Sequence, residues 1–503
     1  MIKKKITSHQ VINDYNKLTN HANKLFDCNK IIDSLKTIEV ASEIMYNFNL
    51  KYSDDKLERL VLKISKAMLQ NEEKINLNRN CNKRIIFYDY FSLDNRGLTQ
   101  QYIRALKSLK YEILYITYQS RDKEKSSHIE KELREYDNSK IYYLENSDYI
   151  LASKELYNII KDYGANKAMI HTSPSDMIGL TTFAFLEKKI TRYLINITDH
   201  AFWLGKCSAD FFIEFRSYGA NLSEKYRGID KSKLILLPYY PIQDKLTKFQ
   251  GFPFDYKDKK IVFSGGNLYK IYGSDIFLNT VKYILDKHED ALFLYVGNGD
   301  VKPLYKFIKD NKFEKRFFHL YERKDINQIF MRCHFYLGTY PFAGGLMTQY
   351  AIANGKIPIA YNKKEFTNNF IETLLLNCND LEFTYTDISR LYDEIDKLIN
   401  SHEYLRFRES QLNGLLITED EFSYELGECL NGCKTKYVSE SVDINHNAVI
   451  KKYLDLENEY QRKYYGLFTK SNYLKLCLLF PKNFIYGFYS KLLIKVNIFK
   501  RGG

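Results

Sequence analysis

Two glycine-rich turns and one lysine carry the most legible chemistry in this chain. The apolar run Ile261-Val262-Phe263 leads at once into Ser264-Gly265-Gly266-Asn267-Leu268-Tyr269-Lys270. Further on, Gly338-Thr339-Tyr340-Pro341-Phe342-Ala343-Gly344-Gly345-Leu346-Met347-Thr348 precedes a short helical pattern and then Lys356-Ile357-Pro358-Ile359-Ala360. Both runs read as strand-to-helix turns. Glycine lets a backbone approach phosphate oxygens, and a helix N-terminus offers unpaired N–H groups and the positive end of its dipole. Lys270 adds a full positive charge. The pattern predicts a nucleotide-diphosphate site built from Gly265, Gly266, Asn267, Lys270, Gly344, Gly345 and Thr348. Arg323 follows another apolar run, 317–320, and is expected either to reach phosphate or base or to form a surface ion pair.

Such turns need sheets to hold them. At 503 residues the chain is too long for one ordinary core, so two or three domains are expected. Residues 1–82 form a polar, helix-patterned preface in which Leu57, Leu60, Val61 and Ile64 share one stripe. From 83 to 241, apolar runs alternate with helical patterns, as in a parallel α/β sheet. Strands are expected at 85–90, 111–118, 141–144, 168–171, 193–197, 211–214 and 234–237. Residues 242–259 lack periodicity and read as a linker. A second α/β domain, 260–435, is expected to carry strands at 261–263, 291–296, 317–320, 335–337 and 357–361, with an edge at 381–384. The fold class is therefore α/β, with two Rossmann-like domains, a helical preface and a C-terminal extension over 436–503.

The net charge of +13 favours an anionic partner: a nucleotide sugar, a membrane surface or nucleic acid. The last 44 residues hold nine Lys or Arg and no Asp or Glu, interleaved with aromatic and aliphatic residues. That composition suits the headgroup region of an anionic membrane, or else a packed helical extension with a solvated basic face. No other module concentrates basic and aromatic residues, so no nucleic acid is expected. The eight cysteines are scattered without a zinc spacing and read as reduced, structural thiols. The basic start has no apolar core behind it, and no apolar run approaches the ~20 residues a bilayer needs. A cytoplasmic protein, peripheral on the inner face of the membrane, is expected.

Two sheet domains with phosphate-type turns in the second resemble the GT-B glycosyltransferases, whose two Rossmann-like domains face a cleft. Asn267-Leu268-Tyr269-Lys270-Ile271 resembles the donor-site motif of the O-GlcNAc transferase type and its bacterial relatives, in which the Lys meets the nucleotide diphosphate. Pro341-Phe342-Ala343-Gly344-Gly345-Leu346-Met347-Thr348 resembles the general GT-B turn Pro-x-x-Gly-Gly-x-x-Thr, which faces the donor diphosphate. Many members carry a ribose-binding acid on the following helix. Here Gln349 and Asn354 are the alternatives. The paired Glu of many retaining members is absent, which favours inversion, and so is the helical-repeat domain of the animal O-GlcNAc transferase.

An inverting transfer needs a base for the acceptor hydroxyl and positive charge on the leaving diphosphate. The chain has no Asp-x-Asp, in agreement with a site that uses no metal and no cofactor beyond its nucleotide-sugar co-substrate. His200 is the leading base, in Thr198-Asp199-His200 after a predicted strand, where α/β sheets place ligands. Asp199 would orient its ring or serve as the base itself. Trp203 could stack on a sugar, or Asp199 could cap a helix and Trp203 be core. His171, at another strand end, and Asp94, in the loop with Gly97, are further acceptor-side candidates. The resemblance implies a glycosyltransferase that moves a hexosyl or N-acetylhexosaminyl group from a UDP-sugar to a glycan or lipid-linked acceptor in bacterial surface polysaccharide assembly. The alternatives are a protein O- or N-glycosyltransferase and a non-catalytic GT-B-like glycan- or nucleotide-binding module.

Overall fold

The computed structural model describes residues 5–73, 83–94, 98–118, 126–243, 247–378, 380–461, 463–469 and 475–489. The chain divides into two compact units: Met1–Leu237 with Ser423–Ser441 and His446–Gly503, and Pro238–Phe422 with Val442–Asn445.

The first unit is built on a parallel sheet of seven strands: β1 (Arg84–Asp89), β2 (Glu112–Tyr118), β3 (Ser139–Leu144), β4 (Lys167–His171), β5 (Thr191–Asn196), β6 (Phe211–Glu214) and β7 (Leu234–Leu236). Their spatial order is β3-β2-β1-β4-β5-β6-β7. The chain therefore runs outward in one direction from β1 and in the other from β4. Asp89 and His171, the last residues of those two strands, are register partners at this reversal.

The second unit holds a parallel sheet of β8 (Lys260–Gly265), β9 (Ala291–Val296), β10 (Phe317–Leu320), β11 (Phe335–Leu337), β12 (Pro358–Tyr361) and β13 (Thr384–Tyr385), ordered β10-β9-β8-β11-β12-β13. All six residues of β9 are buried. Alternate ones serve opposite faces: Ala291, Phe293 and Tyr295 join one core, and Leu292, Leu294 and Val296 the other. That is what a parallel strand covered on both faces requires. Every expected strand is present, most within one or two residues of its expected ends.

Three expectations about the surroundings need correction. The preface is not a separate region. Its helices α1 (Ser8–Asp27), α2 (Ile31–Phe48) and α3 (Asp55–Leu69) share one hydrophobic core with a face of the first sheet. The segment read as an aperiodic linker, 242–259, packs on the second unit, where Phe254 stacks on Phe318 at 3.9 Å and Phe252 on Phe254 at 5.0 Å. Stacked aromatic rings bury area that sequence periodicity does not register. Residues 423–441 belong to the first unit, not the second: Thr435 Oγ1 donates to the Leu236 carbonyl at 2.7 Å and Tyr193 OH to that of Cys429 at 3.4 Å.

The C-terminal extension is divided in its use. Tyr464, Leu467, Phe468, Leu476 and Phe480 are buried in the α1–α3 core. Tyr464 OH also donates to Asp14 Oδ2 at 2.5 Å. Part of the aromatic content expected for a membrane, Tyr464, Phe468 and Phe480, is thus packing material for the helical core. No helix among the described residues is long and apolar enough to cross a membrane.

Candidate active site

In the second unit both glycine-rich turns leave from adjacent strands. β8 ends at Gly265, and β11 leads through residues 338–344 into the helix Gly345–Ala353. The sheet order reverses between β8 and β11, the place where open α/β sheets bind ligands. Gly266 has φ +135°, a conformation that favours glycine, and its N–H donates to the Val296 carbonyl at 2.9 Å. A Cβ on Gly297 would collide with the Gly266 carbonyl oxygen, so the loop after β9 supports this turn at backbone distance. Leu268 N–H donates to the Asn298 carbonyl at 2.8 Å. The single turn Leu268–Ile271 then brings Lys270 back over the second glycine turn. The Lys270 carbonyl accepts from Phe342 N–H at 3.3 Å, and Lys270 Nζ donates to the Ala343 carbonyl at 3.2 Å. Nζ lies 3.6 Å from where a Cβ on Gly344 would stand.

No carboxylate pairs with Lys270 among the described residues. Burial pulls its pKa down to about 8. The helix Gly345–Ala353 has no side-chain cap and no acid in its first turn. A cation without a counter-ion, a bare helix N-terminus and backbone stripped of Cβ atoms form a receptor for an anion such as a diphosphate. Asn267 is exposed and its carbonyl accepts from Lys270 N–H at 3.0 Å. Gly345 starts the helix.

Three donor-side expectations fare differently. Thr348 and Gln349 are buried in the helix. Gln349 Nε2 lies 3.5 Å from the carbonyls of Tyr239 and Leu374, so its amide is turned into the protein. Arg323 is a structural residue. It binds Asp325 through both Nε, at 2.7 Å, and Nη2, and donates from Nη1 to the Gly251 carbonyl at 2.6 Å. With its fork occupied, it holds the 247–259 segment and not a phosphate.

In the first unit, His200 sits at the rim of a buried charge network. Its Nδ1 lies 3.2 Å from Asp199 Oδ1, its side chain is 37% exposed, and Nε2 has no protein partner among the described residues. Asp199 is fully buried and accepts from Arg216 Nε at 2.5 Å and Nη2 at 3.0 Å. Burial would raise the Asp199 pKa, but the Arg216 charge and the His200 hydrogen bond hold it well below the usual carboxylate range. Asp199 is thus held in place by Arg216 and in turn fixes the His200 ring. Beneath them Arg227 donates to the carbonyls of Asp199 and Ala201 at 2.9 and 2.6 Å.

The preface positions this loop. Glu58 on α3 accepts the N–H groups of Gly205, Lys206 and Cys207 at 2.8, 3.0 and 2.9 Å. Asn49, at the end of α2, accepts Phe202 N–H at 2.9 Å.

The remaining acceptor-side expectations are corrected. Trp203 is core: it stacks on Phe212 at 5.7 Å, with the Arg227 guanidinium 4.9 Å from its ring. His171 is fully buried, its Nδ1 2.9 Å from Asp89 Oδ1, with Phe91 packed on its ring. Asp89 also accepts from Thr99 Oγ1 and Tyr115 OH, each at 2.8 Å. Asp94 caps the helix Ser127–Arg134, accepting His128 and Ile129 N–H at 2.9 and 3.0 Å. Gly97 lies outside the described residues.

The geometry can be set beside known proteins. No family model matches the sequence, and no curated protein does. Solved structures do match. HepE from Anabaena, in complex with UDP and glucose, superposes with a TM-score of 0.52 over 70% of this chain and 100% of its own, at 13% identity. An O-GlcNAc transferase mutant from Thermobaculum terrenum gives 0.50 over 89% of this chain and 82% of its own, at 13% identity. A putative UDP-N-acetylglucosamine 2-epimerase from Listeria monocytogenes gives 0.50 over 72% and 100%, at 9% identity.

The fold is GT-B. Identities this low carry no residue roles, so the site rests on the contacts above. Within the GT-B frame, the sequence had pointed to Lys270, Gly266, Gly344 and His200. It had not pointed to Glu58, Arg216 or Arg227, which lie in segments with no motif. The sequence signal for the backbone support under Gly266 is the glycine pair Gly297 and Gly299 that follows β9. Among the described residues, no group of three or more His, Cys, Asp or Glu is placed to hold a metal ion.

Proposed function

We propose that this chain is a glycosyltransferase that moves a sugar from a UDP-linked donor to a hydroxyl of a glycan or lipid-linked acceptor, with inversion and without a metal. The reading rests chiefly on Lys270, an ammonium with no carboxylate partner beside Gly344 and a bare helix N-terminus. HepE holding UDP and glucose adds support for the donor class. His200 Nε2 takes the proton of the acceptor hydroxyl as its oxygen attacks the anomeric carbon. The bond from that carbon to the diphosphate breaks with its electron pair on the diphosphate oxygen. Lys270 and the N–H groups of the helix Gly345–Ala353 offset the new charge there.

Thermal denaturation with UDP, UMP and uridine tests the donor assignment. UDP should stabilise the chain most, because only it presents a diphosphate, and Lys270→Ala should abolish the difference. Equal shifts for UDP and uridine would sink it. A second reading, epimerisation of the donor sugar, draws on the epimerase among the solved structures. Product analysis separates the two: an epimerase converts UDP-N-acetylglucosamine without any acceptor, whereas a transferase releases UDP in proportion to acceptor.

A further inference from the structure

The end of the described chain carries an exposed apolar face that the active site does not use. Residues 476–479 and 481–489 are helical. One side of the second helix is fixed inward: Asn483 Nδ2 donates to Asp14 Oδ2 at 2.7 Å, and Gly487 sits so tightly on the Tyr465 carbonyl that a Cβ would collide with it. Residues four apart share a helical face. Anchoring 483 and 487 therefore turns 482, 485 and 489 outward. Leu478 is 83% exposed, Ile485 54%, Phe488 56% and Tyr489 54%. Lys482 is exposed among them and has no carboxylate partner among the described residues. Lys17 of α1 stands at the border, donating to the Leu479 carbonyl at 2.6 Å. Lys475 is already held by Asp33 at 2.5 Å.

Four large apolar side chains on two short helices are not the scattered exposure of an ordinary surface. We propose that this face is a membrane-contact surface that takes a bilayer of anionic lipid. Charge complementarity selects that occupant: the stretch from Tyr460 onward holds nine Lys or Arg and no Asp or Glu. Apolar residues enter the headgroup boundary while Lys482 faces lipid phosphate. The inference is independent of the donor site, which lies in the other unit.

Sedimentation of the full chain with vesicles tests it, comparing phosphatidylcholine alone with phosphatidylcholine plus phosphatidylglycerol. Binding should require the anionic lipid and weaken with salt. The double substitution Ile485→Asp, Phe488→Asp, at exposed positions, should reduce partitioning by at least about tenfold. Lys482→Glu should reduce it by about fivefold or more. UDP-induced stabilisation should be unchanged in both, which verifies that the variants fold. Undiminished partitioning of the double variant would overturn the assignment. So would absence of vesicle binding, including the case in which the face instead joins two copies of the chain, seen as a dimer in size-exclusion chromatography that the double variant dissolves.

Discussion

Two places in the molecule handle charge in opposite ways. Around the His200 loop of the first unit, buried charge is paired: Asp199 with Arg216, as elsewhere in that unit Asp89 is with His171 and Arg192 with Asp210. At the glycine turns of the second unit, Lys270 has no carboxylate partner among the described residues and donates to the Ala343 carbonyl, and burial weakens its hold on a proton. An ionised group taken out of water costs several kcal/mol unless something offsets it, on the order of the whole stability of a domain. The paired network offsets that cost within the fold and so fixes a loop. The unpaired lysine has no carboxylate to offset it among the described residues, the condition an anion-binding site would meet. His200 is where the paired network reaches solvent.

The sharpest break of this contrast is His200→Ala. It should lower the transfer rate by about a hundredfold to ten-thousandfold, the usual worth of a positioned base, and leave UDP affinity alone. Steady-state kinetics and calorimetry with UDP read the two effects; a shared loss would place His200 outside the proton path. Asp199→Asn should act on the fold. It leaves the Arg216 charge buried without a counter-charge and should cost about 3–5 kcal/mol in chemical denaturation.

Lys270→Ala should do the reverse. UDP affinity should fall by about tenfold to a hundredfold, the worth of a charged hydrogen bond, with no loss of stability. Lys270 also predicts a pH profile. With its pKa near 8, the free protein loses the ammonium above that pH, so UDP affinity should fall by up to about tenfold per further pH unit. Lys270→Arg stays protonated and should flatten the profile. The stability term has the opposite sign. Between about 8 and the ordinary lysine value of ~10.4 the unfolded chain binds more protons, so the Lys270 contribution rises with pH.

The smallest effect is expected at Gly344→Ala. Its φ of −109° suits alanine, and the nearest atoms to a new Cβ stand at 3.6 Å or beyond. Stability should change by less than about 0.5 kcal/mol. UDP affinity should fall by about threefold to tenfold, because the methyl fills space beside the ammonium. Equal affinity for both proteins would move the diphosphate away from this turn.

How much was legible follows the same division. The strands of both sheets could be read because a parallel sheet covered on both faces needs continuous apolar runs such as Ala291–Val296. The glycine turn after β8 could be read because Gly266 meets a local constraint, a positive φ, that favours glycine. Local chain geometry leaves local traces. Which alternative held for Arg323 and Trp203, and the burial of His171, could not be read. Arg323 on the Gly251 carbonyl and His171 on Asp89 join segments 72 and 82 residues apart in the chain.

The sequence by itself determined the sheet periodicity, the two glycine-rich turns and the excess of positive charge. Tertiary structure alone decided which charges have partners: it tied Arg323 down, left Lys270 bare, and brought Glu58 of the preface under the loop that bears His200. Pairing is a property of distance in space, and the burial that sets its energy exists only once the chain has folded.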